Sequence, residues 1–290
     1  MSRAEGDLLQ FVLVDMNPVW LGRMMEREPE QPASIVQCLI EATVAYCKAC
    51  CALSTRKELY VFALSSNKHT IIQSSLRKGD PISAESNLSM MSCQIRDGLR
   101  RALLEFANEA TVSKETKLVP ALARSVCRIN KAIKGTDAAP SSTSSRILLL
   151  KVSDDTTNDY SRLMSVFSTA QKLGTLMDCC AIGVDSALMH QASDITGGIY
   201  LKVGDLKTLV AVLMTVFLPT VGLRLQLVLP KIESVDYRPV CCCHQKLVLN
   251  PWVCSVCLSV FCTFTPICTT CKTVYKLPLL SIMGKRKKKE

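Results

Sequence analysis

Several signatures of a catalytic domain are missing from this 290-residue chain. It has no GxGxxG or GxxxxGKS/T turn, so dinucleotide and P-loop nucleotide binding have no motif support. It has no GxSxG elbow, and none of its three histidines stands in a recognisable nucleophile arrangement. Aromatic residues make up only 5% of the chain, so its core must be built mainly from aliphatic residues, Met and Cys. These absences favour a role without catalysis and without a small-molecule substrate.

The sequence also gives no sign of a secretory leader or a membrane span. Residues 1–15 carry Arg3, Glu5 and Asp7 before a short apolar run, and no small-residue cleavage site follows. The apolar helical stretch at 209–218 is about half the length needed to cross a bilayer. We therefore expect no membrane association and a reducing compartment. Clustered cysteines in such a compartment are more often metal ligands than disulfides.

The positive charge of the chain is unevenly distributed. The formal net charge is +10, and five basic residues stand together at positions 285–289. We expect residues 278–290 to form a solvated, disordered basic tail that serves import into the nucleus. Contact with nucleic acid is an alternative use of the tail, and the sequence leaves it open.

Apolar runs alternate with amphipathic stretches over residues 1–235. The run at 8–14 is apolar except for Gln10 and ends in Asp15, which is typical of a strand buried on both faces. A helix is predicted to begin with Ser34 as its N-cap. Further strands are predicted at 59–64, 70–73, 146–152, 176–184 and 199–203, and further helices at 89–106, 120–133, 163–173 and 206–217. This alternation predicts an α/β fold, doubly wound, with a mostly parallel sheet and helices on both faces.

Two of the predicted strands end in acidic residues, at Asp15 and at Asp154-Asp155. Together with the DITGGIY segment at 194–200, these strands resemble the von Willebrand A domain. In that family a first-strand DxSxS motif helps to hold a divalent cation, which needs several oxygen ligands. Here Asp15 and Asn17 supply oxygens, but Val19 supplies none. We therefore expect a degenerate cation site in which Asp15 caps the following turn.

Cysteine is abundant, and eight of the sixteen cysteines fall within residues 241–271. Two CxxC pairs, Cys254 with Cys257 and Cys268 with Cys271, are separated by ten residues. Each pair lets two thiolates meet one ion from a tight turn, so we predict a closed, structural zinc site with four cysteine ligands. Four buried thiols acting only as small hydrophobic residues are the alternative explanation.

A second set of candidate ligands interleaves with the first. Its members are Cys241, Cys243, His244 and Cys262. The interleaving resembles the cross-braced arrangement of RING-like modules and predicts a second zinc ion. Cys242 is the doubtful member, since residues 241–244 and Cys262 together offer five ligands and a tetrahedral ion uses four. The step in cysteine density places a domain boundary near Asp236, with a zinc module over residues 236–277.

The order of these parts resembles one family. A von Willebrand A-like domain over residues 1–235, the DITGGIYLKV string at 194–203, VDYR at 235–238 and the two cysteine clusters are similar to the smaller von Willebrand A and zinc-finger subunit of the transcription and DNA-repair factor TFIIH. The resemblance implies a non-catalytic nuclear scaffold that acts in RNA polymerase II transcription initiation and nucleotide excision repair. It also implies that the chain pairs with other TFIIH core subunits, chiefly the second subunit that combines an A domain with a zinc module.

Three other classes of protein share some of these features. A RING ubiquitin ligase has eight regularly spaced ligands, but here the third ligand pair is reduced to Cys262. A metal-dependent adhesion domain is disfavoured by Val19 and by the N-terminal sequence. A nucleic-acid-binding zinc finger is disfavoured because residues 254–271 contain no Arg or Lys. The ligase, or another zinc-dependent interaction module, is the main alternative.

Overall fold

The computed structural model describes residues 8–27, 32–53, 57–74, 84–109, 111–134, 144–155, 159–230, 234–244, 246–257 and 259–275. The chain divides into two compact units, Met1–Asp236 and Tyr237–Glu290. The predicted basic tail, residues 278–290, lies outside the described residues.

Six strands form the sheet of the larger unit. They are β1 (Leu8–Asp15), β2 (Lys57–Leu64), β3 (His69–Ser74), β4 (Ser144–Lys151), β5 (Leu176–Ile182) and β6 (Tyr200–Val203). Their order is β3-β2-β1-β4-β5-β6. Strand β3 is antiparallel to β2, and the other neighbouring pairs are parallel. The sheet therefore grows outwards from β1 in both directions, which is the doubly wound arrangement.

Helices cover both faces of this sheet. They are α1 (Pro18–Arg27), α2 (Pro32–Leu53), α3 (Ala84–Ala107), α4 (Leu118–Lys134), α5 (Tyr160–Lys172), α6 (Ala187–Thr196), α7 (Leu209–Val212) and α8 (Val221–Arg224). Helices α1, α2, α3 and α7 contribute to one core, and α4, α5 and α6 contribute to another. In β1, Val12 and Val14 belong to the first core, and Phe11 and Leu13 belong to the second. A strand buried on both faces is apolar along most of its length, as β1 is apart from Gln10 and Asp15, and the predicted fold class is confirmed.

Several predicted helix boundaries differ from the structure. The helix expected to begin after Ser34 begins at Pro32, so the prediction of Ser34 as its N-cap is wrong. Helix α1, which the sequence analysis did not predict, begins at Pro18. Proline suits the first helical position because its missing N–H would have no partner there. The helix predicted at 206–217 is a composite of a 3-10 turn (Leu206–Thr208), α7 and a π-helical turn (Leu213–Phe217).

Helix α2 contains a longer apolar stretch than the one at 209–218. Among the described residues, Ile35–Leu53 is long and apolar enough to cross a membrane by length and composition alone. Half of this stretch is buried inside the larger unit, where Leu39, Tyr46 and Cys47 lie in the core. Core packing accounts for its apolar character, since a helix that is largely covered is apolar around most of its surface.

The DITGGIY string forms the tight connection between α6 and β6. Gly197 ends α6 in the left-handed conformation with φ of 73°, which only glycine adopts at no steric cost. A Cβ atom on Gly198 would lie 2.0 Å from the carbonyl oxygen of Met177, so the backbone of β5 approaches too closely for a side chain. Glycine is therefore required at the two positions for different reasons: at 197 for the left-handed conformation, and at 198 for the close approach of β5.

The described residues of the smaller unit form turns and one short hairpin. Strand β7 (Trp252–Val253) pairs with β8 (Val260–Phe261) in antiparallel fashion. Its buried cluster consists of Cys254, Phe261 and Cys268. A core of this size is too small to stabilise a fold by hydrophobic burial alone, so units of this kind depend on metal ions or disulfides.

Candidate metal centres

The four cysteines of the first predicted site come together in the structure. Their sulfur atoms all lie within 4.8 Å of one another. The backbone N–H of Cys254 donates to the carbonyl of Ser259 (3.0 Å), and the N–H of Cys268 donates to the carbonyl of Thr273 (2.9 Å). These matching hydrogen bonds close two similar CxxC turns, and each turn brings both of its sulfur atoms to the same point.

The sulfur–sulfur distances in this cluster fit a tetrahedral metal site. The Cys254 and Cys271 sulfurs are 3.7 Å apart, and the Cys257 and Cys268 sulfurs are 3.6 Å apart. A tetrahedron with metal–sulfur bonds of about 2.3 Å places its sulfurs about 3.8 Å from each other. A disulfide would require about 2.05 Å. The cluster therefore has the dimensions of a metal site and not of a pair of disulfides.

The surroundings of two of these sulfur atoms, those of Cys254 and Cys268, favour the thiolate form. Hydrogen bonds from the backbone N–H of Cys257 and from the Tyr275 hydroxyl lower the pKa of Cys254 to about 6. The pKa of Cys268 is lowered mainly by the backbone N–H of Cys271, whose nitrogen lies 3.5 Å from the Cys268 sulfur. Because the thiolate is the metal-binding form, these donors prepare the cluster for a cation.

The second predicted set of ligands also comes together. Ligand atoms of Cys241, Cys243, His244 and Cys262 all lie within 4.8 Å of one another. The Cys262 sulfur is 3.4 Å from the Cys243 sulfur and 3.2 Å from Nδ1 of His244. Burial acts to raise the pKa of Cys241, but hydrogen bonds from the backbone N–H groups of Lys246 and His244 outweigh it and lower the pKa to about 6.

Cys242 is separated from this second cluster. Its side chain is exposed, and its backbone N–H donates to the carbonyl of Val260 at 2.8 Å. This bond fixes the 241–244 segment beside β8. Residues 242–244 form a turn, in which Cys243 and His244 contribute ligand atoms to the cluster while Cys242 does not.

The two clusters offer a metal ion different but related ligand sets. One supplies four sulfur atoms, and the other supplies three sulfur atoms and one imidazole nitrogen. Four protein ligands fill a tetrahedral shell and leave no open position for water or substrate, which is typical of structural sites. Either cluster could thus hold a metal ion that stabilises the smaller unit.

The strand-end site at Asp15 is occupied by the protein's own donors. One carboxylate oxygen accepts from the backbone N–H of Asn17 (3.2 Å) and the Thr116 hydroxyl (3.0 Å). The other accepts from the backbone N–H groups of Val152 (3.2 Å) and Ser153 (2.8 Å). Asp15 itself is completely buried. Both oxygens are therefore engaged in joining β1 to the ends of neighbouring segments, and the bond to Asn17 gives Asp15 the turn-capping role expected from the sequence.

Asn17 completes this arrangement instead of presenting an oxygen to a cation. Its side-chain oxygen accepts from the backbone N–H of Val19 at 3.1 Å and so caps the start of α1. Its amide nitrogen donates to the Thr116 hydroxyl (3.0 Å) and the Ser113 carbonyl (3.1 Å). Sequence reasoning missed Thr116 because it lies about a hundred positions from Asp15, and nothing near it marks it as a partner.

The second acidic strand end also forms part of the scaffold. Asp155 forms a salt bridge with the buried Lys151 (3.1 Å) and accepts hydrogen bonds from the Ser186 hydroxyl and the Leu188 backbone N–H (3.0 Å). These bonds attach the end of β4 to the first turn of α6. Carboxylates at a helix N-terminus are stabilised by its unpaired N–H groups, so Asp155 has a structural role there.

Comparison with known proteins gives consistent matches. Residues 7–272 match the family Transcription factor Tfb4. General transcription factor IIH subunit 3 of Dictyostelium discoideum is 34% identical over 187 residues, which make up 64% of this chain and 49% of that protein. General transcription and DNA repair factor IIH subunit tfb4 of Schizosaccharomyces pombe is 34% identical over 187 residues, which make up 64% of this chain and 60% of that protein. The chain thus matches about half the length of these curated relatives.

A solved structure gives the same fold. The crystal structure of the TFIIH p34 N-terminal domain matches 73% of this chain and 98% of that chain, with a TM-score of 0.58 and 21% sequence identity. The fold and the two ligand clusters define a doubly wound α/β domain and a small cysteine-rich module. Because the family match extends over residues 7–272, the chain belongs to the Tfb4 transcription factor family. The family predicted from the sequence is confirmed.

Proposed function

We propose that the chain is a non-catalytic scaffold subunit of the TFIIH core, acting in RNA polymerase II transcription initiation and in nucleotide excision repair. Its relatives are named as subunits of factor IIH, two of them from organisms as distant as Dictyostelium discoideum and Schizosaccharomyces pombe. A subunit of such a factor works in the nucleus, so we also propose a nuclear location.

The observation that best supports a scaffold role is the set of exposed apolar side chains on the smaller unit. Its large apolar side chains that are 40–65% exposed include Trp252, Val253, Val256, Phe264, Ile267 and Val274. The rings of Trp252 and Phe264 contact each other edge to face, with centroids 5.2 Å apart. We call these six residues the module patch. Aromatic side chains such as Trp252 and Phe264 are enriched in the buried cores of protein interfaces.

We propose zinc as the metal in both clusters. Four-sulfur and three-sulfur, one-nitrogen tetrahedra are characteristic zinc environments. The ion would be held by Cys254, Cys257, Cys268 and Cys271 in one site, and by Cys241, Cys243, His244 and Cys262 in the other. Zinc would supply only cross-linking there, since four protein ligands leave it no position at which to activate water.

The proposed partner is chiefly the second TFIIH subunit that combines an A domain with a zinc module. An obligate interface commonly buries more than about 2,000 Å² and is more hydrophobic than a transient one. The module patch would supply part of such an interface. No small-molecule substrate is required for this role.

Affinity purification from cells tests the proposal. The tagged full-length chain should recover the other core subunits, and changing Trp252 and Phe264 to serine should reduce that recovery at least several-fold. Changing Met90 and Leu104 to serine is the matched control, since both are exposed apolar residues on α3 of the larger unit. Equal recovery by the two variants would show that the module patch is not part of the interface. If the unaltered chain recovered no core subunits, the scaffold role would be overturned.

The ubiquitin-ligase alternative predicts a different result in vitro. A ligase module would accelerate discharge of ubiquitin from a loaded conjugating enzyme, and serine at Cys254 and Cys257 would abolish that activity. We expect no acceleration by the purified chain. Zinc-dependent discharge would replace the scaffold proposal with the ligase one.

A further inference from the structure

The exposed face of helix α4 in the larger unit is strongly basic. Helix α4 contains Arg124, Arg128, Lys131 and Lys134, and it contains no acidic residue. All four are exposed, and so is Lys117, which directly precedes the helix. We call these five residues the α4 basic face. By contrast, the exposed surface of α3 includes both acidic and basic residues.

The packing of α4 fixes the direction of this face. Its buried residues are Leu118, Ala121, Leu122, Ser125, Val126 and Ile129, which pack in the second core. The basic residues follow one another at intervals of four, three and three positions, so they form one row on the opposite side. At 1.5 Å per residue, the row from Arg124 to Lys134 is about 15 Å long.

The charges of this row are not neutralised within the described part of the chain. The ion pairs found there do not involve Lys117, Arg124, Arg128, Lys131 or Lys134. Arg128 lies over the ring of Tyr60, with its guanidinium carbon 4.6 Å from the ring centroid. The exposed carboxylate of Glu58 accepts from the Tyr60 hydroxyl at 2.8 Å. The row therefore presents a largely uncompensated positive potential to the solvent.

The exposed positions between the charges indicate what kind of partner the face suits. Within α4 those positions are Pro120 and Cys127, and neither is a large apolar or aromatic side chain. A few buried anchors, chiefly Trp, Tyr and Arg, give a protein partner most of its affinity, and α4 exposes no Trp or Tyr beside its cations. A phosphate backbone, by comparison, binds through charge and counterion release alone.

We infer that the α4 basic face binds the phosphate backbone of duplex DNA without reading its sequence. Duplex DNA carries one negative charge per about 1.7 Å of its axis, so a row of this length lies opposite several phosphates. The buried side of α4 packs against the sheet, so α4 would contact the duplex only through the long cationic side chains on its exposed side. Such contacts position a protein on DNA but do not select a base sequence.

The salt dependence of binding provides the first test. Anisotropy of a labelled 30-base-pair duplex is measured with the full-length chain at several salt concentrations. Changing Arg124, Lys131 and Lys134 to alanine should reduce the slope of log K against log salt by about 2.7 in magnitude, since each phosphate contact contributes about 0.9. Arg128 is kept because it packs on Tyr60.

A matched control variant distinguishes loss of the α4 basic face from a general loss of positive charge. Lys48, Arg101 and Lys207 are exposed basic residues on other parts of the larger unit. Changing these three to alanine removes the same total charge and leaves the residues at 285–289 unchanged, as the α4 variant does. We expect the control variant to keep the slope of the unaltered chain. Equal losses in the two variants would overturn the inference.

A native thiol provides a second test that does not depend on substitutions. Cys127 is exposed and lies between Arg124 and Arg128, while Cys93 is exposed on α3. Saturating duplex DNA should slow alkylation of Cys127 by iodoacetamide at least threefold and leave Cys93 unchanged, as followed by mass spectrometry. Unchanged alkylation of Cys127, or no DNA binding at about 50 mM salt, would overturn the inference. Protection by poly-glutamate but not by DNA would assign the face to an acidic protein segment instead.

Discussion

Arg224 holds both carboxylate oxygens of Asp178 through two parallel hydrogen bonds. Nη1 of Arg224 lies 2.9 Å from Oδ1, and Nη2 lies 2.6 Å from Oδ2. Arg146 donates to the same carboxylate at 2.8 Å, and the Ile199 backbone N–H donates at 2.9 Å. All three charged side chains are at most 8% exposed. The acid that interrupts the apolar run of β5 therefore joins β4, β5 and α8 at one buried point.

Changing Asp178 to asparagine should strongly destabilise the larger unit. The substitution leaves two buried guanidinium groups without a counter-charge, and breaking a buried pair in this way costs about 3–5 kcal/mol. Urea unfolding followed by circular dichroism measures the change. The control is Glu41→Gln, which breaks the more exposed pair with Arg96 and should cost no more than about 1 kcal/mol. A similar cost for both variants would contradict the prediction.

The effect of Asp178 should also depend on pH. Burial acts to raise the pKa of Asp178, but hydrogen bonds from Arg224 and the charge of Arg146 outweigh it and hold the pKa below its ordinary value. A carboxylate with a lowered folded-state pKa contributes stability above its unfolded pKa of about 3.9 and loses it as pH falls through the folded value. The stability difference between the unaltered chain and Asp178→Asn should thus be constant near neutral pH and shrink below about pH 4. A stability difference that grew as the pH fell would contradict the prediction that folding lowers the pKa of Asp178.

Metal analysis should find two equivalents of zinc in the purified chain. Cys254→Ser should unfold the smaller unit and lower the content by at least one equivalent, because the binding energy of a structural zinc ion is also folding energy. Cys242→Ser is the matched control, and it should keep both equivalents because Cys242 lies outside the cluster. Less than about half an equivalent in the folded, unaltered chain would rule out the proposed sites.

Magnesium should not bind at Asp15. Each of its two carboxylate oxygens already accepts two hydrogen bonds from the protein. Calorimetric titration of the chain with magnesium should therefore be flat up to about millimolar concentrations, the weak end of oxygen-ligand affinities. A saturable signal that disappears in Asp15→Asn would show that a cation competes successfully with these donors.

Replacing Asp15 with alanine should lower stability. The buried N–H groups of Val152 and Ser153 would lose their acceptor, at about 1–3 kcal/mol for each unsatisfied group. Asp154→Ala is a suitable control because Asp154 is exposed, and it should change stability by no more than about 0.5 kcal/mol. Equal stability of the two variants would show that the Asp15 hydrogen bonds do not contribute.

Adding a methyl group at Gly198 should be poorly tolerated. The new Cβ would meet the Met177 carbonyl, which belongs to the backbone of β5 and cannot rotate away. We expect Gly198→Ala to cost at least about 1–3 kcal/mol, the usual range for overpacking. Gly222→Ala has open space and a helical position, so it should be neutral or slightly stabilising. Thermal unfolding compares the two.

The fold could be predicted from sequence because strands covered on both faces are apolar along most of their length. The CxxC spacing likewise predicted which cysteines would meet, since a tight turn brings the two sulfurs of each pair together. Helix α1 was missed because Asp15, Asn17 and Val19 were compared with a cation motif, and the start of a helix at Pro18 was not considered. Thr116 and the Asp178–Arg224 pair could not be found, because each joins segments far apart in the chain and tertiary packing alone brings them together.

The ligands of the two metal clusters alternate along the chain, and Cys262 of the second cluster lies between the two CxxC pairs of the first. A cut anywhere between Cys257 and Cys262 would therefore deprive both clusters of ligands at once. A piece of this region that keeps both ligand sets complete must run from Cys241 to Cys271, and any shorter piece lacks ligands of at least one cluster.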